Sequence, residues 1–271
     1  MNGKTVLVVG AGGVLGVAVA KEFSQAGYKV IGIRRESSRA VNIADASTNE
    51  IDINTVHPEL VEGSHVESRM LRQAQHERVS ERIADGVNCR VHYCDFLDRQ
   101  AMQQVVDQVI AEYGSIDVVI FNTAHLVMAP FLELIEDDFA TSWNASVGSA
   151  VVCAQSVLPT MLKQRRGAMI FSGATAASRG TARFAAFAAA KFALRGLTQS
   201  LAREYQSQGI HIAHVVIDGL LGGSASIGKF GGSEERSIDP AAVAVSYRML
   251  AEQPSSAWTL ELDVRPSSER F

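Results

Sequence analysis

The sequence predicts an α/β fold: one doubly wound parallel β-sheet of about seven strands with helices on both faces. Three observations predict it. The chain opens on a short apolar run, Lys4 to Val9, followed by a glycine-rich turn and an amphipathic helix to about Ala26. Short apolar runs then alternate with longer amphipathic stretches to the C-terminus, as expected of strands buried on both faces and joined by helical crossovers. No linker divides the chain, so residues 1–271 read as a single domain.

The bulk properties exclude several classes. With 271 residues, 47% hydrophobic and 20% charged, the composition is that of an ordinary globular domain. A domain of this length buries roughly 75% of its unfolded surface and needs no disulfide or structural metal. A formal charge of -4 argues against a nucleic-acid partner. Three irregularly spaced cysteines fit a reducing compartment, and a cytoplasmic location is expected. The N-terminal stretch lacks the apolar core and cleavage site of a signal peptide. Glycine interrupts each apolar run before the ~18 residues of a membrane span, so no membrane contact is expected.

The first turn, Gly10-Ala-Gly12-Gly13-Val-Leu-Gly16, lies between a strand and a helix. Glycines there let the backbone approach a pyrophosphate, which then faces the positive end of the helix. The second strand, Tyr28 to Arg35, ends in Arg34 and Arg35. A carboxylate at that point would bind the ribose 2′-hydroxyl of NAD, whereas arginine suits the 2′-phosphate of NADP. NADP is therefore the expected cofactor, with NAD the alternative.

About 50 residues separate Arg35 from Val87, far more than a crossover of ~10–12 residues needs. Residues from about 45 to 82 are expected to be an insertion in a surface connection. The segments TVHPELVEG and MLRQAQHERVSE within it are similar to translations of a short palindromic repeat found in some bacterial genomes. His57, His65 and His76 lack ligand-like spacing, and no metal site is expected.

Val87 to Tyr93 reads as the third strand, with Asp95 after it as a possible helix cap, and Asp117 to Phe121 as the fourth. A long helix over about 136–163 carries Asn144, a residue of poor helix propensity. Then comes the stretch around which the chain is organised, Gly167 to Gly196: a buried strand, a small-residue turn and a helix over about 184–208. Gly209 to Ile217 is the sixth strand, and His211 and His214, three apart on it, face opposite ways. Gly222 to Ser237 is rich in glycine and serine; Asp239-Pro240 caps the last helix, and Trp258 to Val264 is the last strand.

Phe187-Ala-Ala-Ala-Lys191 resembles the Tyr-x-x-x-Lys signature of the short-chain dehydrogenase/reductase family, with Phe187 at the tyrosine position and Ala174 at that of the catalytic serine thirteen residues before it. The glycine turn is similar to that family's Thr-Gly-x-x-x-Gly-x-Gly, with Val9 for the threonine and Val14 for the middle glycine. Phe121-Asn122-Thr123-Ala124 stands for its Asn-Asn-Ala-Gly, and Asp218-Gly219 for its Pro-Gly. The resemblance covers the chain apart from the expected insertion. It implies a Rossmann-type fold, a homodimer or homotetramer, and a mobile lid over Gly222 to Ser237.

The resemblance also implies roles. Gly10, Gly12, Gly13, Gly16, Arg34, Arg35, Asp95, Phe96, Asn122, Ala124, Lys191 and Gly219 are the implied cofactor contacts. Asp95 would accept from the adenine amino group, Asn122 would brace the strands beside the cofactor, and Lys191 would hold the nicotinamide ribose. Asn144 matches the residue that holds a water of the proton relay. Because Phe187 donates no proton and Ala174 no hydrogen bond, Ser172, Thr175 or a water held by Asn144 remain as alternative proton sources. The implied function is NAD(P)-dependent hydride transfer to or from a small-molecule substrate at an altered site. A cofactor-binding pseudoenzyme or regulatory protein, and a reductase of conjugated C=C bonds, are the alternatives.

Overall fold

A computed structural model describes residues 3–35, 87, 89–230 and 232–268. The expected insertion over 45–82 lies outside the described residues. Seven parallel strands form one sheet in the order β3-β2-β1-β4-β5-β6-β7: β1 (Thr5–Val9), β2 (Lys29–Arg34), β3 (Arg90–Tyr93), β4 (Val118–Phe121), β5 (Gly167–Ser172), β6 (Ile210–Ile217) and β7 (Glu261–Val264). The order reverses between β1 and β4, which opens a crevice at their carboxyl ends where such sheets bind ligands.

Strand alternation sends side chains into two cores. Val6, Val8 and Ile170 pack under α1 (Gly13–Gln25) and the C-terminal helix Pro240–Ala251, with Leu15, Phe23 and Tyr247. Leu7, Phe121 and Phe171 face the other layer, with Met102, Val157 and Leu194. That layer comprises α2 (Arg99–Tyr113), α3 (Glu136–Trp143), α4 (Ser149–Gln164) and α5 (Ala185–Tyr205). The short α6 (Ser226–Lys229) precedes α7, the C-terminal helix. Asp239 caps α7 by accepting from Ala241 N–H, with Pro240 at the first helical turn, as its sequence implies.

Four expectations need correction. The cap before Arg99 is Asp98, whose Oδ1 accepts from Gln100 N–H and Ala101 N–H; Asp95 lies three residues earlier and accepts instead from Leu97 N–H. β3 pairs with β2 only from Arg90. β7 starts at Glu261, because Trp258 leaves the strand path to stack on His211, with rings 5.0 Å apart and 2° from parallel. The helix over 136–163 carries a π turn at Asn144–Gly148, where Ser149 N–H reaches back to Asn144 C=O. Gly148 does not end that helix, so Glu136–Gln164 is long and apolar enough to cross a bilayer on length and composition. Some 61% of its apolar window is buried inside the fold, which marks a core helix.

Candidate functional site

The glycine turn combines close packing with open space. Gly10 has φ +84, and a Cβ there would lie 2.5 Å from Asn122 C=O. A Cβ on Gly16 would lie 2.8 Å from Gly10 C=O. Only glycine allows this approach of α1 to β1 and β4. Gly12 and Gly13 differ: a Cβ on either would meet nothing within 4 Å. No side chain caps α1, and its first turn holds no acid. The N-terminal N–H groups thus face open space at the positive end of the helix, an anion cradle.

Gly10 N–H and Ala11 N–H both donate to Ile33 C=O at 3.0 and 3.1 Å, which brings the end of β2 against the turn. Arg34 and the exposed Arg35 follow directly, at the cradle's rim. Across the crevice, Asn122 N–H donates to Val9 C=O at 2.8 Å and its side chain to Gly10 C=O at 3.4 Å. Asp95 and Ala124 are exposed, whereas the Phe96 ring belongs to the core, leaving Phe96 its backbone for any ligand.

Lys191 is 3% exposed, and its Nζ donates to Ser172 C=O at 2.9 Å. The Phe187 ring lies one turn back, its centroid 5.8 Å from Nζ. Burial pushes the ammonium pKa down from 10.5 to about 8. Phe187, Ala174 and Thr175 line a cavity of about 770 Å³, with Gly219 and Leu220 after β6 and Lys229 and Phe230 from the 222–237 segment. Its volume is that of a small-molecule site.

The candidate proton sources separate in space. The Ser172 side chain shares the face of Ile170 and turns away from α5; its Oγ meets Tyr247 Oη at 2.6 Å in the opposite core. Ser172 therefore offers the site a carbonyl and not a hydroxyl, a correction that follows from strand alternation. Thr175 reaches the cavity. Asn144 is exposed and does not line the cavity.

Two buried charge networks escaped the sequence reading. Asp218, 1% exposed, is held by Arg179 at 3.3 Å and Arg265 at 3.4 Å beneath the cavity. His214, also 1% exposed, lies 3.5 Å from Glu261, which Arg195 grips with two bonds of 2.6 Å. Burial pushes the His214 pKa down to about 4, with Lys191 and Arg195 adding to the effect and Glu261 opposing it. Gly173 makes room for that ring, since a Cβ there would lie 2.5 Å from His214 Nε2. A histidine inside an otherwise apolar strand was the available signal.

Comparison with known proteins decides the family. Residues 55–221, more than half of the chain, match the short chain dehydrogenase family. The chain belongs to the short-chain dehydrogenase family. A relative, 2,3-dihydroxy-2,3-dihydro-p-cumate dehydrogenase of Pseudomonas putida, is 30% identical over 136 residues, 50% of this chain and 52% of that protein. The chain thus spans about half the length of that relative. The 3-oxoacyl-[acyl-carrier-protein] reductase FabG of Salmonella typhimurium is 27% identical over 224 residues, 81% of this chain and 74% of its own. A crystal structure of a short-chain dehydrogenase from Rhodopseudomonas palustris superposes with a TM-score of 0.69 at 28% identity, over 97% of this chain and 98% of that one.

Short-chain dehydrogenases use NAD or NADP and act on small molecules, and this member's residues fit such a cofactor. The open Gly12-Gly13 turn could take the pyrophosphate and Arg34 and Arg35 the adenosine ribose, while Lys191 is buried one helical turn behind Phe187 on the cavity wall.

Proposed function

We propose that this chain is an NADP-preferring oxidoreductase with altered proton handling. The observation that carries the proposal is Lys191, a charged group kept in an apolar interior one turn from the cavity wall. Position-filling alone would favour an apolar side chain there, because burying an ammonium costs stability. The nicotinamide, when bound, supplies or accepts the hydride. Lys191 would donate to its ribose hydroxyls while Ser172 C=O fixes the ammonium. Thr175, half-buried at the wall, would orient the substrate oxygen. A threonine that passes its proton to the alkoxide must regain one, so the proton would come in the end from water in the cavity, relayed through Thr175 or delivered directly. Lacking a positioned acid, carbonyl reduction should run about 10²–10⁴ slower than at a site that has one.

The test is to restore the missing groups. Phe187 and Ala174 both line the cavity, so added hydroxyls have room. Phe187→Tyr with Ala174→Ser should raise NADPH-dependent reduction of a small-ketone panel at least about tenfold, with Phe187→Tyr alone gaining less. Ketone reduction by the unmodified protein at the double variant's rate would refute the altered proton handling.

We further propose a homo-oligomer. Leu97, Trp143 and Phe192, 43 to 48% exposed, mark an apolar outer face near α3 and α5; Val245, Met249 and Leu260 mark another on α7 and before β7. Two separate self-complementary faces build a homotetramer of two-fold symmetry, and one builds a homodimer. A monomeric mass by light scattering at micromolar concentration would reject both.

A further inference from the structure

The cavity beside Phe187 has a charge pattern that the hydride-transfer reading does not use. Its hydrocarbon walls come from Leu126, Met128, Phe184, Phe187, Leu220 and Phe230. Arg179, Lys229 and Arg236 also line it, and among the described residues no carboxylate does. Arg179 is offset by buried Asp218. Lys229 and Arg236 have no carboxylate within ion-pairing distance among the described residues. In a chain of net charge -4, two cations on the wall of an apolar cavity with no ion-pair partner among the described residues run against the overall balance.

The segment that carries them is held in place by packing and backbone bonds. Phe230, next to Lys229, sets its ring 5.8 Å from that of Phe184, the residue that precedes α5, at 49°. Arg236 donates to Ser233 Oγ at 3.4 Å, and Ile238 N–H and Gly222 N–H tie the base of this segment to Leu220 and Ile238 carbonyls at 2.7 and 2.8 Å. None of Gly10 to Gly16 lines the cavity, so it is the substrate side of the crevice and not the cradle. Phe187 and Ala174 line it at the expected reaction end, and Lys229 and Arg236 come from the 222–237 segment.

We propose that this cavity takes an apolar organic acid: a hydrocarbon body against the phenylalanines and leucines, and one carboxylate read by Lys229 and Arg236. The inference rests on the reading of the cavity as the substrate site of an oxidoreductase. Charge-assisted hydrogen bonds from two cations, discounted for their exposure, should separate such an acid from a neutral analogue by about tenfold.

Calorimetric titration of the full chain with 2-naphthoate and with 2-naphthalenemethanol, each with NADPH at saturation, tests this. We expect the carboxylate to bind at least tenfold more tightly than the alcohol. Lys229→Gln with Arg236→Gln should cancel that preference and leave the alcohol within about twofold. Added salt should weaken the carboxylate and not the alcohol, a readout that stands even where the double variant fails to fold. Equal affinities, or a carboxylate preference that survives the double variant, would overturn the proposal. So would loss of naphthoate binding on adding NADPH, which would put the anion in the cofactor's own phosphate site. Failure to bind NADPH at all would refute the cofactor reading separately, and the naphthoate titration without NADPH would still read the charge preference.

Discussion

Replacing Lys191 by Met separates the stability of the fold from its use. The ammonium is 3% exposed, and its pKa falls from 10.5 to about 8 because burial disfavours the charged form. At pH 7 the folded chain still holds this proton, and the shift amounts to about 3 kcal/mol of penalty. The sign follows from proton counts. Between about pH 8 and 10.5 the unfolded chain binds the proton and the folded chain has lost it, so stability rises with pH across that window. Below it the penalty is present in full. Lys191→Met fills a similar volume, removes the penalty, and forfeits the 2.9 Å bond to Ser172 C=O, worth about 1–2 kcal/mol. The variant should therefore gain about 1–2 kcal/mol at pH 7, raising Tm by several degrees. The gain should vanish or reverse by pH 10.5, where the wild type no longer carries the buried charge. Urea unfolding of both proteins at pH 7, 8.5 and 10 reads the difference directly. NADPH affinity should fall about tenfold or more at pH 7, since a charged donor to the ribose is lost. A variant less stable at pH 7, with the same pH dependence as wild type, would show that the ammonium is not penalised. Unchanged NADPH affinity would remove the ribose contact.

Two further perturbations test the surroundings. Arg34→Ala with Arg35→Ala should lower NADPH affinity about tenfold or more and leave NADH nearly unchanged, as charge-assisted contacts to a 2′-phosphate require; tighter NADH than NADPH binding by the unmodified protein would defeat the NADP preference. His214 takes up a proton near pH 6.5 when unfolded but only at about 4 when folded, so it withdraws up to about 3 kcal/mol as pH falls through that window. His214→Asn should flatten the acid side of the stability curve between those values, and identical slopes in urea titrations of the two proteins would show that the histidine is solvated in the native state.

What was legible in the sequence was local. Gly10 must adopt φ +84 beside Asn122, and that need is visible as a glycine between an apolar run and a helix. The alternation of runs gave the seven strands because strands buried on both faces need unbroken apolar stretches. Side-chain direction was harder to read. Ser172 and Thr175 are three residues apart, yet one turns to Tyr247 across the sheet and the other lines the cavity. Which layer lies above Ser172 depends on packing against a helix 75 residues away. The buried charges share this property: Asp218 is satisfied across 39 residues by Arg179, and Arg195 reaches Glu261 across 66. Each such residue breaks the rule that interiors are apolar, and each is offset only by a partner that the tertiary fold supplies. The same reasoning applies to the cavity cations. Lys229 and Arg236 lie in a glycine- and serine-rich stretch that reads as polar surface, and their meaning emerges when Phe230 packs on Phe184 and turns that stretch into a wall. Both cations stay exposed, so the hydrocarbon wall fixes the shape of what can bind while the charges, weakened by solvent, select the sign of its polar end.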